Sequence, residues 1–366
     1  MGATYIRVMR NEVSFTTSAD GTRIAWSRHG TGPPLVRAGT WLTHLEHDWS
    51  SPVWSHWLET LGQRFSYIRY DARGNGLSDR NPVDYSPAAM LADLEAVVDA
   101  ARLPSFSLLG MSQGGAVAVE YARCHPERVT NLLLLGAYGR GILARKSGSA
   151  VREEMKLERQ MIKVGWGRAD PVYRRVFTSS FIPGASETQM RWFDDLQRRS
   201  MTPEAALASS IARANVDVSA SASAVTARTL VLHADGDRVV PFEEGRRLAG
   251  LIPGARLVCL HGKNHILLAD EPAWGEFVDE VTAFAGAASV KPPSVRLTTR
   301  ELEVLRLVAQ GWSNEECGSQ LSMSTRTVER HLSNLYAKLS LTGKSARAAV
   351  AARLTELERD ALVVLS

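Results

Sequence analysis

The sequence predicts an α/β domain on a mostly parallel sheet, followed by a small all-α domain. Three observations predict it. Strand and helix signals alternate over residues 13–135 and resume over 229–285, as in parallel sheets covered by helices on both faces. Residues 297–366 carry helical signals only. The 366 residues suffice for two domains at roughly 100–200 residues each. With 45% apolar and 22% charged residues, a disordered, collagen-like or coiled-coil chain is excluded.

The elements follow in order. Val13–Thr17 and Arg23–Ser27 flank the turn Ala19-Asp20-Gly21 and read as a hairpin. Leu35–Ala38 and Ser66–Tyr70 are short apolar runs, and Ala88–Ala101 has apolar residues at helical spacing. Strand Phe106–Leu109, helix Gly114–His125 and strand Val129–Leu135 follow. From about Arg140 to Ala224 strand signals vanish, and charges and helix formers dominate, so a helical cap over about 140–224 interrupts the sheet. The α/β pattern resumes with Thr229–His233, a helix near Glu243–Leu251, Arg256–Leu260 and helix Pro272–Ala285. The small, proline-containing segment 286–294 reads as a linker. The boundaries expected are thus 1–287, a linker at 288–296, and 297–366. In the last domain Thr298 with Glu301, and Ser313 with Glu316, fit capping boxes. Ser324 caps a third helix running to about Leu339, and Ala346–Leu354 is a fourth.

Charge and cysteine content bound the function. Of the net charge of +4, residues 140–200 contribute +6 and residues 296–366 contribute +2, leaving −4 elsewhere. The charge of the cap reads as a solvated outer face, with attraction of an anionic ligand as the other reading. Cys124, Cys259 and Cys317 are far apart, without disulfide or metal spacing, as in a reducing cytoplasm. No apolar run approaches the roughly 20 residues of a bilayer span. The opening residues MGATYIRVMRNE lack an apolar leader core. A cytoplasmic protein with no membrane segment, no metal and no cofactor is expected.

Gly110-Met111-Ser112-Gln113-Gly114 lies between a strand and a helix, the context of a nucleophile elbow. There Ser112 is exposed on a strained turn, and the Gln113 N–H points where an oxyanion forms, at the positive end of the helix. A serine needs a base, and the base an orienter. Asp235 and Asp237 both follow strand Thr229–His233. Asp237, beside the extended Val239-Val240-Pro241, is favoured as orienter, and Asp235 reads as a turn residue. His265, in the loop before the last helix, is favoured over the strand-end His261 as base.

These residues resemble the alpha/beta-hydrolase family. Leu230-Val231-Leu232-His233-Ala234-Asp235-Gly236-Asp237 resembles its strand and acid loop, and Asn264-His265 its Gly-His pair. Asp71-Ala72-Arg73-Gly74-Asn75-Gly76-Leu77-Ser78 resembles its D-x-R-G-x-G-x-S loop. The resemblance covers about residues 13–287. It implies an alpha/beta-hydrolase fold with a helical cap and a Ser112–Asp237–His265 triad. Where the family has His-Gly after the third strand, this chain has Gly39-Thr40-Trp41, which makes the Trp41 N–H the candidate second oxyanion donor. A cap is apolar where it shields a site, and Trp166 and Trp192 are expected in the ligand pocket.

Residues 297–354 resemble the LuxR-type helix-turn-helix domain. The resemblance rests on Leu297-Thr298-Thr299-Arg300-Glu301, Val304-Leu305, Gly311, Ser313-Asn314-Glu315-Glu316, Thr327-Val328, His331 and Asn334-Leu335-Tyr336. Val328, Leu332, Leu335 and Leu339 form one apolar stripe, with Arg326, Glu329, Arg330 and Ser333 opposite. A recognition helix needs this packed back and polar front. Thr325 and Thr327 suit phosphate at the helix N-terminus, and Lys338 and Arg347 suit phosphates farther along. In the second helix Cys317-Gly318 replaces the usual Ile-Ala, and a helical glycine costs about 0.5–1 kcal/mol relative to alanine. The resemblance implies double-stranded DNA as partner, a homodimer, and contact with RNA polymerase. The sequence thus reads as a transcriptional regulator whose hydrolase-fold domain binds a small ester, lactone or amide-like ligand. An esterase-like serine hydrolase with an appended DNA-binding domain is the competing reading.

Overall fold

The computed structural model describes residues 12–145, 148–286 and 299–338. They fall into two compact units, one within residues 1–289 and one within 290–366. In the first unit eight strands form one sheet: β1 (Val13–Thr17), β2 (Arg23–His29), β3 (Pro34–Arg37), β4 (Ser66–Tyr70), β5 (Phe106–Met111), β6 (Val129–Leu135), β7 (Arg228–Ala234) and β8 (Arg256–Leu260). Their order is β1-β2-β4-β3-β5-β6-β7-β8. The β1–β2 hairpin is antiparallel, and β2 meets β4 antiparallel. From β4 to β8 all pairings are parallel. This is the mostly parallel sheet that the alternation predicts, in the alpha/beta-hydrolase fold that the resemblance implies.

Side-chain alternation divides the core between the two faces. Leu109, Met111, Leu133, Leu135, Leu230 and Leu232 pack on one face, against helices Ser55–Arg64 and Pro272–Gly286. Phe106, Leu108, Leu132, Leu134 and Val231 pack on the other, against helices Pro87–Ala100, Gly114–Cys124 and Phe242–Leu251. Leu132–Leu135 is therefore an uninterrupted apolar run because both faces are covered, each leucine contributing about 1.5–3 kcal/mol. Helix Ser55–Arg64 has no counterpart in the sequence reading. Its apolar stripe is only Trp57, Leu58 and Leu61, too short to register as periodic.

Between β6 and β7 lies the cap, with helices Ile142–Arg145, Ser149–Gly165, Val172–Phe181, Glu187–Ser200, Pro203–Ala214 and Ser219–Ser223. Its positive charge is not all solvated. Arg174 is buried and donates to the carbonyls of Gly165, Trp166, Arg168 and Asp194, and the first two are acceptors that the helix ending at Gly165 leaves open. No helix among the described residues is long and apolar enough to cross a membrane.

The second unit shows helices Thr299–Ala309, Asn314–Gln320 and Thr325–Lys338 around Val304, Leu305, Val308, Cys317, Val328, Leu332 and Leu335. The Ser313–Glu316 capping box is closed in both directions. Thr298, Leu339, the expected linker and the expected fourth helix lie outside the described residues. Gly318 has a packing role: a Cβ there would sit 2.7 Å from the Met323 carbonyl oxygen. The second helix thus approaches the turn more closely than a side chain allows, which offsets the helix penalty of glycine.

Candidate active site and DNA-binding surface

Strand β5 ends at Met111, and the next residue, Ser112, has φ +48°. That left-handed conformation is strained for a residue with a Cβ. It is held by the Ser112 N–H donating to Leu135 O at 3.1 Å and by Gly115 N–H donating to Ser112 O at 3.0 Å. The glycines let the helix close onto the sheet. A Cβ at Gly110 would lie 2.7 Å from Ala118 Cβ, and one at Gly115 would lie 2.4 Å from Ala137 Cβ. A Cβ at Gly114 would lie 2.9 Å from Gly39 O.

His265 and Asp237 arrive from loops past the C-terminal ends of β8 and β7. His265 Nδ1–H donates to Asp237 Oδ2 at 2.6 Å, and both side chains are buried. Asp237 Oδ1 accepts from Val239 N–H at 2.8 Å and Val240 N–H at 3.0 Å. Burial drives the Asp237 carboxyl upward, but the charge and hydrogen bond of His265, with the Val240 N–H, outweigh it and hold the group below its ordinary value. Gly136, at φ +52°, lies behind the pair, where a Cβ would press on the His265 ring at 3.2 Å. The other two candidates pair with each other at the surface: His261 Nδ1 lies 3.0 Å from Asp235 Oδ2, and both are exposed. Ser112 and His265 line one narrow cavity of about 20 Å³, together with Thr40 and Trp41.

The loop after β3 carries the candidate oxyanion donors. Leu42, at φ +62°, donates its N–H to Asn75 Oδ1 at 3.1 Å. Leu45 N–H and Leu77 N–H both donate to Asp71 Oδ2. Arg73 locks this bracing loop through Asp93, at 2.7 and 2.8 Å, and Asp20, at 2.7 Å. Among the described residues the N–H groups of Thr40, Trp41 and Gln113 meet no acceptor. Thr40 was not singled out from sequence, because the altered Gly39-Thr40-Trp41 run obscures which residue follows the family's glycine.

A larger cavity of about 290 Å³ opens from Ser112 and Gln113 beneath the cap. Trp41, Tyr138, Met155, Met161, Phe177 and Phe181 give it apolar walls, and Arg145, Arg213 and Glu158 line it too. Trp166 and Trp192 do not line it. Trp166 is buried behind Trp41, with ring centroids 5.5 Å apart, and Trp192 stacks on His47 at 4.6 Å. Among the described residues the one cluster with metal-ligand atoms is exposed: Asp235, Cys259 and His261, within 4.8 Å of one another.

In the second unit Val328, Leu332 and Leu335 are buried on one side of helix Thr325–Lys338. Arg326, Glu329, Arg330 and Ser333 are exposed, and Thr325 and Thr327 are half-buried. The Thr327 hydroxyl bonds that of the capping Ser324 at 2.8 Å. The Lys338 side chain and Arg347 lie outside the described residues.

Residues 53–272 match the family model described as serine aminopeptidase, S33, and residues 295–351 match that of the bacterial regulatory proteins, luxR family. The chain is 25% identical over 259 residues to a pyrrolizixenacetamide deacetylase of Xenorhabdus hominickii, covering 68% of this chain and 90% of that protein. An AB hydrolase superfamily protein of Bacillus subtilis is 27% identical over 238 residues, covering 64% and 86%. Among solved structures, an esterase from Exiguobacterium antarcticum superposes with a TM-score of 0.63 at 25% identity, covering 75% of this chain and all of that one.

Proposed function

The chain belongs to the serine aminopeptidase S33 family of alpha/beta-hydrolases and carries a luxR-family regulatory domain, and on that premise we propose a DNA-binding transcriptional regulator that admits a small ester, lactone or amide beneath its cap. The observation that carries this reading is the opening of Ser112 into a cavity walled by the cap, in a chain that also holds a luxR-family domain. The relatives named a deacetylase and an esterase support an acyl compound as ligand. Arg326, Glu329, Arg330 and Ser333 would face the major groove of double-stranded DNA, and Thr325 and Thr327 would meet phosphate. Lys338 and Arg347 are proposed for phosphates farther along, and a homodimer for two half-sites. The proposed boundaries remain 1–287 and 297–366, joined by a linker.

A second reading, serine-hydrolase turnover, is favoured by the 2.6 Å His265–Asp237 bond and the unpartnered N–H groups near Ser112. Ser112 Oγ attacks the ligand carbonyl carbon while His265 Nε2 takes the hydroxyl proton, and Asp237 stabilises the imidazolium. The oxyanion is met by Gln113 N–H and by Trp41 or Thr40 N–H. Collapse breaks the acyl bond, and His265 returns the proton to the departing alcohol or amine. Water, deprotonated by His265, then releases the acid and restores Ser112.

The test joins both halves of the protein. The full chain is treated with a fluorophosphonate, and the adduct is located by peptide mass. In parallel it is used to select binding sites from random duplex DNA. The expected result is one adduct, on Ser112, and enrichment of a two-half-site sequence. Labelling elsewhere, or no enrichment over random sequence, overturns the reading.

A further inference from the structure

The charges around the larger cavity have a geometry that the triad does not use. Arg213, near the end of helix Pro203–Ala214, is fixed on two sides. One guanidinium nitrogen pairs with Glu158 Oε1, which also accepts from Ser210 Oγ at 2.7 Å. The Arg213 Cζ lies over the Trp41 ring, 4.3 Å from the centroid. Of the other two guanidinium nitrogens, Nη1 is buried and without a hydrogen-bond partner. Arg145 approaches from the short helix Ile142–Arg145, 5.6 Å from the Tyr138 ring centroid. Its Nε and Nη1 are likewise buried and unpartnered. Both arginines, Tyr138 and Glu158 line the cavity that holds Ser112.

Buried guanidinium donors left unpaired cost about 1–3 kcal/mol or more each, and two arginines lining one cavity favour an anionic acceptor within it. The sign and size of the charge identify it. Arg145, Arg213 and Glu158 sum to one positive charge, and the exposed Arg238 and Glu154 at the rim cancel each other. One negative charge neutralises the site, whereas a dianionic phosphate over-compensates it. A planar carboxylate matches guanidinium forks. Tyr138, Met155 and Phe177 provide apolar wall for the stem of such a ligand.

We propose that Arg145 and Arg213 form a carboxylate subsite, so that the ligand is a half-acid: an ester, lactone or amide with its carbonyl at Ser112 and a carboxylate at its far end. The inference rests on Ser112 being the acyl site of the same cavity. Arg213 sets the subsite, because Glu158 and Trp41 hold it in one orientation. Arg145 closes it from the other wall.

The experiment measures protection of Ser112 in the full chain against a neutral fluorophosphonate. The protecting probes are matched pairs: monomethyl esters of linear diacids of five to eight carbons (order of about one ligand length in a pocket of this class), and methyl esters of the monoacids of equal length. In the unmodified protein at least one half-acid protects at a concentration about tenfold or more below its neutral partner. In Arg145→Gln and Arg213→Gln that preference falls to about onefold, while an unchanged circular dichroism spectrum and urea midpoint show that the variants are folded. If Arg213→Gln fails to fold without Glu158's partner, Arg145→Gln alone decides. Equal protection by both members of every pair, or an unchanged preference in the variants, overturns the subsite and leaves the acyl site standing. Absence of labelling at Ser112 in the unmodified protein overturns the acyl site, and the subsite with it.

Discussion

His29 and His56 are both pushed down to about 4, chiefly by burial, against the raising effect of hydrogen bonds to the carbonyls of Leu58 and Leu267. An unfolded histidine takes a proton near 6.5, whereas these two stay neutral in the folded protein until about 4. Each therefore contributes stability that is present above about pH 6.5 and lost as pH falls toward 4. The urea midpoint is expected to drop between pH 7.5 and pH 5, and His56→Gln, which keeps an N–H donor without a titrating ring, to flatten the drop. A midpoint level across that range contradicts the assignment. Asp237 makes a separate case. In the proposed turnover its carboxylate holds His265 with Nδ1 protonated, leaving Nε2 to accept the Ser112 proton. Asp237→Asn keeps the shape and reverses that preference, so Ser112 labelling by fluorophosphonate should slow on the order of 10³–10⁴-fold, with circular dichroism unchanged.

At the level of elements, the sheet was legible in sequence because short, largely apolar stretches alternate with segments of helical spacing, Leu132–Leu135 being the clearest of them. The elbow was legible because strand, Gly110-x-Ser112-x-Gly114 and helix are local in sequence. The pocket was not, since its walls come from separate cap helices whose facing depends on tertiary packing. Trp166 and Trp192 have the size of pocket residues, yet Trp166 spends its N–H on Met201 O at 3.2 Å and its ring on the core. Arg145 and Arg174 look in sequence like other surface cations, and only the fold shows one in the cavity and the other buried. The elbow supports a prediction of its own. Gly115→Ala places a methyl 2.4 Å from Ala137 Cβ before relaxation, so it should destabilise by about 1–3 kcal/mol, read as a lowered urea midpoint with unchanged slope. In the recognition helix, Arg330→Ala should cost about 1–3 kcal/mol and relax discrimination at one base position. Binding across operator variants tests this, and a uniform loss for every variant places Arg330 on phosphate instead.

For the whole molecule, the proposed ligand cavity and the luxR-family domain in one chain have regulatory meaning only if occupancy of one changes the affinity of the other. Such coupling is a free energy shared by both sites, typically about 1–3 kcal/mol or 5–150-fold, and it is reciprocal. Covalent occupancy of Ser112 by a fluorophosphonate offers a controlled way to fill the first site. If the regulator reading holds, the adduct should shift operator affinity several-fold in one direction. For any one reversible ester, saturating ester should shift operator affinity by the same factor by which saturating operator shifts the ester's affinity for the unlabelled protein. The labelling rate itself carries no such requirement, because reciprocity applies to binding and not to kinetics. Fluorescence anisotropy of operator DNA, with and without the adduct, reads the first arm, and equilibrium dialysis of the ester reads the second. Ser112→Ala supplies the control, since it is expected to bind operator yet form no adduct. Identical operator affinity for labelled and unlabelled chain, together with steady ester turnover, would make the C-terminal domain an anchor that places a hydrolase on DNA. A shift with the adduct but with no ester of the series would instead make the coupling a property of the adduct and overturn those esters as the regulatory ligand.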